Sequence, residues 1–384
     1  MIPSVQLKRT SRPGHPWIFS NELLESPKNL IPGAVVDVVD HRGKWVGRGF
    51  GHPGSLIAVR IARRSTGELD DAWLRSSLEV ALARRVRTCS GRTAYRWVHA
   101  EADGLPGLII DRYGDRVVLS ANTAAMDLRK DAIVQALREV DPTVTAALWR
   151  NDGRGRALEG LEAEVAPAFG EVDGIWTIDD DGFPVSFDPT GGQKTGLFLD
   201  MWENRRRMTT ALGTGRVADL FSYVGQWGLH AARAGAEEVV CVDRSESALS
   251  FAASNAATNG LDISTTQSPV DRFLDETPDR SFDAIVCDPP SFIRSRKGAS
   301  KGAKAYERLF ARTLTKVRRG GYAVVASCSH HLFEDRFHKA LAAAAYKARR
   351  EVVVVVRGGQ SPCHPVPATF PEARYLKAVL LEVR

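Results

Sequence analysis

Two strand-end residues offer this sequence its most distinctive chemistry. Cys328 follows the apolar run Tyr322 to Ala326, and Asp288 opens the turn Asp288-Pro289-Pro290-Ser291-Phe292 after the run Ala284 to Cys287. Both sit at the carboxyl ends of strands expected to be parallel, the edge on which doubly wound sheets bind ligands. A thiolate at Cys328 can add to C6 of a cytosine ring and push electron density onto C5, a carbon otherwise too weakly nucleophilic to accept a methyl group. A carboxylate at Asp288, held by a proline-stiffened turn, can hydrogen-bond the ring at N3 and stabilise the charge that develops there. A free strand cysteine ordinarily packs as a small hydrophobe. Cys287, Cys241 and Cys89 are read that way.

Upstream lies Asp219-Leu220-Phe221-Ser222-Tyr223-Val224-Gly225-Gln226-Trp227-Gly228, a strand end and loop with two glycines ahead of an expected helix. The spacing of Gly225 and Gly228 suits close approach of a ligand to the backbone, and taken alone it suits ordinary turn glycines equally well. The next strand ends in Val242-Asp243, where a carboxylate can accept both ribose hydroxyls of a nucleoside. Nicotinamide-dependent enzymes share that feature, whereas the Asp-Pro-Pro turn points to methyl transfer beside a base. Asp271, in a later strand-to-helix connection, is placed to accept from an adenine amino group. Phe221, Ser222, Tyr223, Gly225, Gly228, Asp243, Asp271 and Asp288 form the expected cofactor-binding set.

These residues need a scaffold, and 384 residues are enough for two or three domains. A hydrophobic content of 43% with 26% charged residues is that of a soluble globular chain, and no apolar run is long enough to span a membrane. Residues Met1 to Trp17 have no apolar stretch behind Lys8, Arg9 and Arg12, so no secretory signal is read and the cytoplasm is the expected location. Five cysteines without a CxxC pair argue against a disulfide framework or a structural zinc, and no metal is expected. The net charge of +6 is too small to name a partner by itself.

From Val217 onward, strand and helix alternate. Strands are expected at Val217 to Phe221, Glu238 to Val242, Ala284 to Cys287 and Tyr322 to Ser327, with helices after Gly228 and over Ala248 to Asn259. That alternation predicts a parallel α/β sheet wound on both faces, which Tyr375 to Val383 would close. Ahead of it, Ala34 to Val39 and Trp45 to Gly49 read as a hairpin in a small β module, and Leu74, Leu78 and Leu82 recur at helical spacing. Strands at Leu108 to Asp111, Arg116 to Ala121 and Val144 to Trp149, with a helix near 125 to 139, make an α+β middle region. A second hairpin spans Ile175 to Phe187. The expected division is 1–68, 69–172 and 173–384.

With these residues in view, the sequence resembles the bacterial large-subunit rRNA cytosine-C5 methyltransferases that carry an N-terminal PUA domain. His15-Pro16-Trp17-Ile18-Phe19-Ser20 is similar to that family's opening motif, and Glu101 to Gly107 with Ile110-Asp111-Arg112 to its middle-domain signature. The likeness continues through Gln193-Lys194-Thr195-Gly196-Leu197-Phe198-Leu199-Asp200, Ser327-Cys328-Ser329, His364-Pro365-Val366 and Tyr375-Leu376-Lys377. It implies a β-barrel PUA domain, an α+β middle domain and a Rossmann-like class I methyltransferase domain. It further implies S-adenosyl-L-methionine as cofactor, Cys328 as nucleophile and 23S rRNA as substrate; a homodimer is also allowed. Two departures stand out: Asp200-Met201-Trp202 where the family writes Asp-Gln-Arg, and Gln226 where many members have glycine.

Lys194, Arg294, Arg296 and Lys297 are the expected RNA-binding residues, and Lys301, Lys304 and Arg308 continue the basic run against Glu307 alone. Such a run fits phosphate binding or a solvated loop. Phe292 and Tyr306 are candidates for stacking on unpaired bases. Two other functions remain open on these residues. A base-nitrogen methyltransferase would share the Asp-Pro-Pro turn but need no nucleophile, and an RNA-binding assembly factor would keep the fold without turnover.

Overall fold

The computed structural model describes residues 2–9, 12–153, 155–192, 195–213, 215–293 and 295–384. It divides into two compact units. The first holds Met1–Asp179, Asp188–Leu199 and Pro362–Ala373, and the second Asp180–Phe187, Asp200–Ser361 and Arg374–Arg384.

The first unit contains two five-stranded sheets. The N-terminal one runs in the order Ser4–Gln6, Val35–Val39, Trp45–Gly51, Ile57–Arg63, Trp17–Phe19. The expected hairpin is its antiparallel middle pair. One curled face buries Leu7, Ile18, Val36, Val38, Val59 and Ile61, the period-two alternation of a half-buried strand. Helix Asp71–Thr88 follows, with the Asp70 side chain accepting from the Trp73 amide as N-cap and Leu74 and Leu78 buried. The second sheet runs Val165–Phe169, Ala146–Arg150, Arg116–Ala121, Leu108–Tyr113, Ala94–His99. Its three inner strands are those read from the sequence. The two unread ones are its edges, and Pro167 within Val165–Phe169 is tolerated there because an edge strand has backbone groups outside the ladder.

The second unit is a seven-stranded sheet. Its strands in chain order are β1 (Arg216–Leu220), β2 (Glu238–Asp243), β3 (Ser264–Gln267), β4 (Phe282–Cys287), β5 (Val317–Ser327), β6 (Val352–Gly359) and β7 (Lys377–Val383). The helices are α1 (Trp202–Met208), α2 (Gln226–Arg233), α3 (Glu246–Thr258), α4 (Val270–Glu276), α5 (Ala299–Lys316) and α6 (Glu334–Lys347). The strand order is β3-β2-β1-β4-β5-β7-β6. Strands β1 to β5 pair in parallel, and β7 pairs antiparallel with both β5 and β6. The fold is therefore the expected Rossmann-like α/β sheet. One face buries Leu220, Val242, Ile285, Phe310 and Phe337, and the other Val217, Val239, Val286, Val324 and Trp227. Burial on both faces explains why these strands read as continuous apolar runs and not as alternations.

The last segment differs from expectation. It does not close the sheet but inserts between β5 and β6, leaving the polyvaline strand β6 at the edge.

Candidate functional site

The cofactor loop is shaped by strained backbone. Phe221 and Tyr223, just beyond β1, have φ of 62° and 50°, a left-handed conformation that costs a non-glycine residue about 1 kcal/mol or more and is retained where surrounding contacts impose it. The Ser222 amide donates to the Val242 carbonyl (3.1 Å) and the Tyr223 amide to Asp243 Oδ2 (3.1 Å), so the end of β2 holds the loop in this shape. Asp243 Oδ1 takes the Ser245 amide (2.9 Å). The carboxylate is thereby fixed at the strand end with lone pairs to spare.

The two glycines are required by local packing. Gly225 has φ of 82° and precedes α2, and a Cβ there would meet Ala252 Cβ at 2.9 Å. A Cβ on Gly228 would stand 2.5 Å from Cys241 Sγ. They permit α2 to pack closely on β2 and α3. Gln226 replaces glycine without penalty because it is the first residue of α2, and its Nε2 donates to Asp180 Oδ2 (2.6 Å). Arg205 reaches the same oxygen (3.2 Å). Arg205 is thus a buried structural cation, and Met201 and Trp202, the other departures from the family pattern, are core residues.

Asp219, which the sequence reading passed over, is buried at the end of β1 with Oδ2 accepting from the Gly228 amide (2.9 Å). Its Oδ1 is buried with no hydrogen-bond partner among the described residues. Burial pushes its carboxyl up to about 8, and the charges of Asp288 and Asp243 push the same way. Three carboxylates converging on one strand-end region, one of them with an orphaned oxygen, suit a ligand that carries positive charge and hydrogen-bond donors. S-adenosylmethionine, with a sulfonium, an ammonium and ribose hydroxyls, fits that donor set. Asp271 stands apart: it lies in the first turn of α4, four-fifths exposed, with its carboxylate ion-paired to Arg312. A role toward adenine would require breaking that pair.

Cys328 directly follows β5 and is the single partly exposed cysteine of the five. The loop that carries it is tied to the Asp-Pro-Pro turn. Ser329 Oγ lies 2.8 Å from both Ser291 Oγ and Tyr306 Oη, and the Ile293 amide donates to it at 3.4 Å. Tyr306 comes from α5 and is fully buried, which removes it as a surface for stacking bases; its hydroxyl instead fixes two active loops to each other. Phe292 packs against its ring at 4.7 Å. On the far side, Lys377 opens β7 opposite Ser327 and donates to the carbonyls of Ser329 (2.7 Å) and Tyr375 (2.6 Å). Its sequence signal was a cation heading the apolar run Ala378 to Leu381. Cys287 and Cys241 are buried, and burial raises both thiols, Cys287 to about 12; they are poor nucleophiles.

Of the expected RNA-binding residues, Lys194 and Arg294 lie outside the described residues. Arg296 and Lys297 form an exposed turn before α5, and Lys301, Lys304 and Arg308 lie exposed along that helix. Glu307 pairs with Lys347 from α6, so it does not neutralise them. Segment Thr195 to Leu199 belongs to the first unit, where the Thr195 hydroxyl donates to Asp111 (2.5 Å) and the Leu197 amide to Tyr113 Oη (3.1 Å). Asp200, in the second unit, accepts from Tyr375 Oη (2.5 Å). No helix of the described residues is long and apolar enough to cross a membrane.

Comparison with known proteins gives this geometry a family. A model of a PUA-like domain matches residues 7–64, and a model of an S-adenosylmethionine-dependent methyltransferase matches residues 126–364. The ribosomal RNA large subunit methyltransferase I of Klebsiella pneumoniae is 34% identical over 378 residues, covering 96% of this chain and 94% of its own. That of Alteromonas mediterranea is 33% identical over 383 residues, covering 98% and 96%. Among solved structures, an S-adenosylmethionine-dependent methyltransferase from Streptococcus mutans superposes with a TM-score of 0.84 at 20% identity over the full length of both chains. A methyltransferase structure complexed with S-adenosylhomocysteine gives the same score.

Proposed function

We propose that this chain, which belongs to the S-adenosylmethionine-dependent methyltransferase family, methylates C5 of a cytosine in large-subunit ribosomal RNA through a covalent adduct on Cys328. Its relatives act, by name, on large-subunit ribosomal RNA, and S-adenosylmethionine is the family's cofactor. The observation that carries the finer reading is a solvent-accessible cysteine whose loop is hydrogen-bonded through Ser329 to Ser291 of the Asp-Pro-Pro turn.

The residues of this chain divide the work. Asp243, Asp219 and the loop from Phe221 to Gly228 bind the cofactor. The Cys328 thiolate adds to C6 of the target base, and Asp288 hydrogen-bonds the ring at N3 as negative charge develops there. The bound cofactor supplies an electrophilic methyl group to the C5 carbon so activated. Loss of the C5 proton to a base then allows β-elimination, which breaks the C6–S bond and returns the thiolate. Arg296, Lys297 and the α5 cations, with Lys194 and Arg294, hold phosphates of the RNA, and the N-terminal PUA-like sheet adds RNA surface. The division 1–68, 69–172 and 173–384 is retained as the functional one.

RNA carrying 5-fluorocytosine at the target tests the mechanism, because fluorine replaces the proton whose loss precedes elimination. Wild-type enzyme is expected to be trapped as a covalent complex and Cys328→Ala to form none, with S-adenosylmethionine binding nearly intact in both. A Cys328→Ala enzyme that still transfers methyl groups would leave a base-nitrogen methyltransferase as the better description.

A further inference from the structure

Lys377 is a buried cation without a carboxylate. Its side chain is almost wholly covered, its ammonium donates to the Ser329 and Tyr375 carbonyls, and no acidic group stands within ion-pair distance of it among the described residues. Carbonyl dipoles compensate a buried charge only in part, so such an ammonium favours an anion nearby. The fold specifies where that anion can be. The Lys377 backbone pairs with Ser327 across the β5–β7 ladder and its amine bonds to the Ser329 carbonyl, so the residue touches both chain neighbours of Cys328.

We infer that Lys377 is the positioning residue that holds Cys328 in its thiolate form, by placing a fixed positive charge beneath the Cys328 loop. The inference rests on the reading of Cys328 as nucleophile. It deepens that reading by naming the group that activates the thiol, whose proton leaves to solvent. Burial pulls the lysine down to about 8, while the Cys328 charge and, more weakly, Glu334 pull it back up and Arg374 opposes them. At neutral pH the amine therefore keeps its proton.

The other groups around Cys328 do not supply this charge. From α5 comes Tyr306, whose buried hydroxyl is raised and stays neutral. From the turn after β4 comes Asp288, an acid that would disfavour a second anion, and from α6 comes Glu334 with the same sign, which holds the Arg374 cation in an ion pair at 2.8 Å. His330, on the Cys328 loop itself, stacks on the Tyr375 ring at 5.0 Å, and His331 is its neighbour.

The test is the pH profile of Cys328 alkylation by iodoacetamide in the full-length protein, followed by peptide mass spectrometry to separate Cys328 from the buried cysteines. Wild-type protein is expected to alkylate with a midpoint below the value of about 8.5 of an unperturbed thiol. Lys377→Met should raise that midpoint by about one unit, a roughly tenfold slower alkylation at pH 7, and Lys377→Arg should restore most of the rate. A wild-type midpoint at or above that of free cysteine overturns the inference with no variant needed, as does a Lys377→Met profile that matches wild type. This outcome is separable from that of the 5-fluorocytosine experiment. A shifted alkylation profile without an RNA adduct would retain the Lys377–Cys328 coupling and remove the cytosine mechanism, and an adduct with an unshifted profile would do the reverse.

Discussion

Asp219 shows how a single buried carboxyl reports the ligand it awaits. Its folded-state pKa of about 8 lies far above the value of about 3.9 in an unfolded chain. Between those pH values the folded protein keeps a proton that the unfolded chain has released, so ligand-free protein loses stability as pH rises from about 4 to about 8. Asp219→Asn should therefore match wild type near pH 4 and exceed it increasingly toward pH 8 in urea melts; parallel curves would contradict the protonated assignment. Binding a cationic cofactor favours the ionised carboxylate, so calorimetric titration with S-adenosylmethionine between pH 6 and 8 should show proton release, seen as a binding enthalpy that varies with the buffer. Asp243→Ala should weaken that binding strongly, since the carboxylate shapes the loop through the Tyr223 amide and is the proposed acceptor for the ribose hydroxyls. At this scale the sequence offered candidates where a residue type announces its chemistry, as for Cys328, Asp243 and Asp288. It offered Lys377 and Ser329 only as members of matching motifs, because their contacts depend on which carbonyl or hydroxyl they meet in the fold.

Elements were legible in proportion to how completely they are buried. Strands β1, β2, β4 and β5 are covered on both faces and read directly as apolar runs, whereas the edges of the middle sheet lack a paired neighbour on one side and gave no clear signal, and β6 went unread despite its run of valines. The loop between β1 and α2 was found from its glycines, which make room for helix packing; glycines that admit a helix and glycines that admit a ligand look alike in sequence. The distinction can be measured. Gly228→Ala would drive a methyl group against Cys241 Sγ and should cost about 1–3 kcal/mol of stability, as overpacking does, and Cys241→Ala should relieve much of that cost. Free additivity of the two changes would return Gly228 to a ligand-clearance role. The α5 helix offers a second test at this scale. Lys301, Lys304 and Arg308 recur three and four residues apart on one exposed face, so replacing all three by alanine should reduce the salt dependence of RNA binding by a slope of about 2, from about 0.7 per single-strand phosphate contact. An unchanged slope would make this face a solvated surface.

At the scale of the whole molecule, the chain passes between its two units more than once, returning to the first for Asp188–Leu199 and again for Pro362–Ala373. A linear reading of composition cannot anticipate such returns, because they depend on three-dimensional contacts that leave no composition shift. The first unit has its own buried charge network. Arg60 Nη1 lies 2.7 Å from Glu101 Oε1 and its Nη2 3.4 Å from Glu159 Oε1, and both carboxylates are more than nine-tenths buried. Trp17 Nε1 also donates to Glu101 (2.8 Å), which ties the N-terminal sheet to the middle one through the same acid. Removing the cation strands two acids away from water, a loss of about 3–5 kcal/mol for a broken buried pair. The residues proposed to bind the cofactor all lie in the second unit. Arg60→Met should therefore lower the unfolding midpoint of the first unit while leaving S-adenosylmethionine affinity unchanged, and saturating cofactor should raise only the transition that Arg60→Met does not touch. Differential scanning calorimetry with and without cofactor separates the two. A single transition moved equally by the mutation and by the cofactor would mean that the units unfold as one.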